Sequence, residues 1–95
     1  MKLFTFIIER AGGTYCSQHS GESYQEAATA FVEYASSSKF LNYGSLDKTR
    51  LLENVLEATP LTGLVNISCF NHIDGSDEFW FANVVETAMP GVAAN

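Results

Sequence analysis

The stretch Phe4 to Gln18, FTFIIERAGGTYCSQ, narrows the possible folds more than any other part of the chain. Phe4, Phe6 and Ile8 fall on one side of an extended backbone and Thr5, Ile7 and Glu9 on the other, the period of two expected of a strand with one buried face. Gly12-Gly13 supplies the positive φ that tight hairpin turns demand, and Thr14 to Gln18 returns as a second strand. Register depends on the loop. A two-residue loop puts Tyr15 on the phenylalanine face, whereas a three-residue loop with a glycine bulge puts Cys16 there; the room a packed helix needs favours Cys16 inward and Tyr15 outward.

A second hairpin is predicted near the other end. Val65, Ile67 and Cys69 alternate with Asn66, Ser68 and Phe70, and Asp74-Gly75 suits a type I′ corner before Phe79 to Val85 returns. A two-residue loop there sets Cys69 opposite Trp80, Ile67 opposite Ala82 and Val65 opposite Val84, which makes one apolar face. The reverse face then holds Phe70, Phe79 and Phe81, joined by Ile7 if the two hairpins are neighbours. Monomers seldom expose such a patch, so Ile7, Phe70, Phe79 and Phe81 are the predicted interaction surface. Its expected cover is a protein partner or a second copy of the chain, with the C-terminal tail or the loop around Phe40 as the competing cover.

Two helices are expected between the hairpins. Ser23-Tyr24-Gln25-Glu26 fits a capping box, and Tyr24, Ala27, Ala28, Phe31, Tyr34 and Ala35 form one apolar arc. Ser36-Ser37-Ser38 and Asn42-Tyr43-Gly44 interrupt the helical pattern. Ser45 is the next cap candidate, with Asp47 in the first turn; Leu51, Leu52, Val55 and Leu56 make a second stripe, and Pro60 ends it. The order β-β-α-α-β-β predicts a two-layer α+β domain, with two helices on one face of a four-stranded, mostly antiparallel sheet. A chain of 95 residues has room for one core, so a single domain over residues 1–87 is expected, with residues 88–95 as a flexible tail.

Composition removes several functional classes. With 46% hydrophobic and 17% charged residues the chain is neither disordered nor a membrane span. Its formal charge of −6 makes nucleic acid a disfavoured partner, since phosphate backbones are repelled. The apolar start Leu3 to Ile8 imitates a secretory signal, but Glu9-Arg10 interrupts it, which favours a strand and a cytoplasmic location. Cys16 and Cys69 are accordingly expected as free, buried thiols.

Chemical motifs are sparse. His72, Asp74, Asp77 and Glu78 cluster at the second turn, but their spacing matches no calcium or zinc pattern, and a solvated turn is the expectation. Cys16 with His19, and Cys69 with His72, lie three apart in strands and so point to opposite faces, which excludes a direct nucleophile and base contact within either pair. Asn66-Ile67-Ser68 matches a glycosylation sequon inside a predicted strand and is read as accidental. No catalytic, cofactor or metal-binding residue is assigned, and no cofactor is expected.

The segment FIIERAGGTYCSQ, followed by SYQEAA and later by LTGLVNISCF, resembles small uncharacterised bacterial proteins whose first hairpin carries G-G-T-Y-x-S-Q. That resemblance implies no activity. The first third, with G-G-x-Y between strands and G-x-S-x-x-E-A at Gly21 to Ala27, is similar to the start of HicB-type antitoxins, and the likeness implies a small partner-binding domain. The expectation is therefore a non-enzymatic protein-binding or regulatory module that self-associates through its sheet. The alternative is a small-ligand binder or enzyme with a pocket between helices and sheet edge near Tyr24, Tyr34 and Tyr43, helped by His19.

Overall fold

Alternation in the first strand does what its period requires: Phe4, Phe6 and Ile8 are buried while Thr5 and Ile7 are half-buried on the opposite side. The computed structural model describes residues 1–37 and 47–88, with elements β1 (Lys2–Arg10), β2 (Gly13–Gly21), α1 (Tyr24–Ser37), α2 (Lys48–Leu56), β3 (Thr59–Pro60), β4 (Ile67–Ile73) and β5 (Phe79–Thr87). The strands form one antiparallel sheet in the order β2-β1-β5-β4-β3. Both helices pack on the same face, α1 over β1 and β2 and α2 over β4. The α+β class and the antiparallel sheet are as expected, but the sheet has five strands, not four. The addition is β3, where Thr59 and Pro60 pair with Cys69 and Ser68. Proline lacks the N–H for a two-sided ladder, so this position suits the sheet edge.

The second hairpin departs from its expected register, and the first takes the two-residue alternative, with its loop one residue earlier than Gly12-Gly13. In the first, Ala11 (φ 50°) and Gly12 (φ 82°) make the corner, so Arg10 faces Gly13 and Ile8 faces Tyr15. Tyr15 therefore lies on the helix side and Cys16 is exposed on the other, the reverse of the favoured expectation. Burial supplies the reason: this register packs Tyr15 against the core and sets the His19 ring 5.7 Å from Phe6 and 5.2 Å from Tyr34. The alternative would bury Thr14, Cys16 and Gln18 instead.

The second hairpin closes through Gly75-Ser76-Asp77. Asp74 N–H donates to the Glu78 carbonyl, Asp77 N–H donates to the Asp74 carbonyl, and Asp77 takes φ 60°. This is a type I turn followed by a left-handed residue. One extra loop residue turns every β4 side chain over. Phe70 faces Ala82, His72 faces Trp80 and Ser68 faces Val84, so the pairings of Cys69 with Trp80, Ile67 with Ala82 and Val65 with Val84 do not form. Val65 precedes β4 and is exposed.

The core fills the space between the layers. Trp80, Phe6, Phe31, Ile8, Leu51 and Val55 are its largest fully buried side chains, and the Phe6 and Phe31 rings stack at 4.4 Å. Ala27, Ala28 and Ala35 let α1 approach the sheet closely. Gly21 does the same at the entry to α1, where a Cβ would lie 2.6 Å from Glu26 Cβ. The Ser23 hydroxyl accepts from Glu26 N–H at 3.4 Å, while the Glu26 carboxylate reaches Glu22 N–H at 3.1 Å, one residue earlier than a strict capping box. For α2 the cap is Asp47, whose carboxylate accepts from Arg50 N–H at 3.0 Å. The expected cap Ser45, the connection with Phe40, Leu41 and Tyr43, and the tail beyond Ala88 lie outside the described residues.

Candidate interaction surface

The sheet face away from the helices has no other element packed on it among the described residues. Strand pairing places its side chains in rows: Cys16, Ile7, Asn83 and Cys69 cross the middle, Gln18, Thr5, Val85 and Ile67 lie on one side, and Glu9, Phe81 and Asn71 on the other. Phe79 and Ile73 pair beyond them at the turn end. Ile73, Phe79 and Phe81 are 55%, 51% and 47% exposed, far more than aromatic and branched side chains that pack within a chain. Glu9 is the one Asp, Glu, Lys or Arg on this face among the described strand residues. Polar side chains interleave with apolar ones over much of this face, but Ile73, Phe79 and Phe81 make its turn end apolar.

Of the four residues expected on this surface, Ile7, Phe79 and Phe81 share it. Phe70 does not: it is buried beneath the helices with its ring 6.4 Å from Phe31. The β1–β5 adjacency brings Ile7 beside Asn83 and sets Phe81 beside Glu9. Ile73 takes the place assigned to Phe70, a consequence of the turned-over register of β4.

Cys16 and Cys69 both lie on the open face, free and three strands apart. At about 4.8 Å per strand this is roughly 14 Å, beyond disulfide reach. Cys16 is exposed and Cys69 half-buried, so neither is the buried thiol expected. His19 and His72 lie on the helix side, which separates them from the cysteines.

In the turn cluster Asp77 and Glu78 are exposed, as a solvated turn requires, but His72 and Asp74 are not. Asp74 is buried and its carboxylate accepts from four donors: Arg10 Nε at 2.6 Å, Trp80 Nε1 at 2.9 Å, Ser76 N–H at 2.8 Å and Glu78 N–H at 3.2 Å. Burial alone would raise its pKa, but these donors, Arg10 foremost, hold it at about 2. Arg10 is itself buried, so the ion pair ties the end of β1 to the second turn. Sequence reading missed this contact because the partners are 64 residues apart. An arginine on the apolar face of β1 was the available signal.

Next to it lies an open cleft of about 520 Å³ lined by Asp47, Arg50, His72, Ile73, Asp74, Gly75 and Asp77. Asn54 Nδ2 donates to His72 Nδ1 at 2.8 Å, which leaves the proton on Nε2, a buried atom without a hydrogen-bond partner. Burial lowers the His72 pKa, and Arg50 adds to that while Asp74 and Asp47 oppose it. The alternative tyrosine pocket loses its main polar handle, because Tyr24 hydroxyl donates to the Val55 carbonyl at 2.7 Å and burial pushes its pKa up to about 12. Tyr34 lies against His19, and Tyr43 is outside the described residues.

No family model, curated protein or solved structure matches the chain. Among the described residues no helix is long and apolar enough to cross a membrane.

Proposed function

We propose that the protein is a non-enzymatic binding or regulatory module that self-associates through the open face of its sheet. The carrying observation is the exposure of Ile73, Phe79 and Phe81 together on a face whose one charged side chain among the described strand residues is Glu9. A second copy laid on that face removes the rings from water, and at roughly 25 cal/mol per Å² of apolar area this is the main favourable term available to it. Among the described strand residues the face has no Lys or Arg, the side chains that hold phosphate backbones, so it suits protein better than nucleic acid. The likeness of the first third to HicB-type antitoxins supports a partner-binding role, and the unpaired thiols support a cytoplasmic setting. Sedimentation equilibrium of the wild type and Phe81→Glu tests the reading. The variant is expected to halve the particle mass while keeping its circular dichroism spectrum, and an unchanged mass overturns the open-face contact.

A further inference from the structure

A second surface, independent of the open face, lies along β2. The sheet ends at this strand. Its hairpin closes on Arg10 and Gly13 around Ala11 and Gly12, both at positive φ, and in such a two-residue hairpin the closing pair is hydrogen-bonded and bonded pairs alternate from there. Gly13, Tyr15, Ser17, His19 and Gly21 therefore turn their N–H and C=O groups toward β1. Thr14, Cys16, Gln18 and Ser20 turn theirs outward. Within the described chain the strand ladders and turn bonds leave these outer groups without a backbone mate.

Free edges are ordinarily blunted by shortness, proline, bulges or charge. The opposite edge is: β3 has two residues, one of them Pro60. By contrast β2 runs nine residues with an unbroken register, and its sequence GTYCSQHSG has no Pro, Lys, Arg, Asp or Glu. We propose that β2 pairs antiparallel with β2 of a second copy, about a two-fold axis through Ser17. This centre overlaps the whole strand. It sets Cys16 against Gln18 of the second copy and Thr14 against Ser20, so every outward group meets its complement and roughly eight backbone hydrogen bonds form. On the helix side Tyr15 comes opposite His19 of the second copy, and no like charges meet although each chain carries −6. The axis stands perpendicular to the sheet, so both helix layers stay on one side and the two open faces merge into a wider one.

Sedimentation equilibrium of the wild type, Cys16→Pro and Phe81→Glu separates this contact from the open-face contact. Proline at position 16 removes an outward N–H and leaves the ladder to β1 intact, so its mass is expected to fall twofold. A monomeric wild type overturns the edge contact, and so does a mass that falls with Phe81→Glu alone, which leaves the open-face reading standing. A mass that falls with Cys16→Pro alone does the reverse. Oxidative cross-linking in a Cys69→Ser background gives a readout that does not rely on proline being tolerated. Gln18→Cys is expected to give a disulfide-linked dimer with Cys16, because a bonded antiparallel pair brings Cα atoms to about 5.5 Å. Cross-linking confined to the parent or to Ser20→Cys overturns the Ser17-centred pairing, and no cross-link in any of them overturns the contact itself.

Discussion

Replacing Asp74 by Asn probes the joint between the first strand and the second turn. The amide keeps one oxygen for the Ser76 and Glu78 N–H groups but turns an NH2 toward Arg10 Nε and Trp80 Nε1, donor against donor. It also removes the carboxylate charge that pairs with the buried Arg10. Breaking a buried pair from one side costs about 3–5 kcal/mol, and that is the loss expected near pH 7, read as the shift in urea midpoint at constant m-value. The pH dependence is the sharper test. The folded carboxyl is held at about 2 against an ordinary 3.8, and at 1.36 kcal/mol per unit this is worth about 2 kcal/mol. Because the folded value is the lower one, the contribution is complete above about pH 4 and is lost as pH falls through about 2. The gap between wild type and Asp74→Asn should therefore narrow by about 2 kcal/mol from pH 5 to pH 2. A gap under about 1 kcal/mol at pH 7, or one that stays constant with pH, refutes the assignment of this carboxylate as a charged structural node.

Three further outcomes are expected. His72 is held below its ordinary 6.5 by burial, so the native state resists protonation and stability declines as pH drops below about 6.5; urea midpoints from pH 7.5 to 4.5 should decline less in His72→Leu, and an unaltered decline counts against the orphaned nitrogen as its source. Tyr24 behaves in the opposite sense, since its raised pKa of about 12 means stability is present below about pH 10 and lost as pH rises toward 12; Tyr24→Phe should remove that alkaline decline and cost about 1 kcal/mol at neutral pH through the lost bond to the Val55 carbonyl. Ala11 sits at φ 50° in a turn that prefers Asn or Gly, and Ala11→Asn should raise stability by about 1 kcal/mol in thermal melts, whereas a loss would contradict the turn assignment.

Local pattern settled the elements of this protein. The alternation of Phe4, Phe6 and Ile8, the Ser23 cap with its alanine-rich arc, and the Leu51 and Val55 stripe each carry their own period, so strand, helix and buried face were legible without knowing what they pack against. Phe79 and Phe81 on the outer side of the last strand were legible for the same reason. Loop length was not, because Gly12-Gly13 and Asp74-Gly75 each permit more than one turn, and a single residue of difference inverts a strand. Tertiary contacts chose between them. The register in which Asp74 reaches Arg10 and Trp80 is also the one that turns Phe70 and His72 inward and Cys69 and Ile73 out. The β1–β5 pairing likewise arises from contacts about 80 residues apart, whose worth exists only once both hairpins are formed. Sequence by itself determined that a sheet with one apolar face would form; the assembled fold decided which residues stand on the other face and left β2 at its edge.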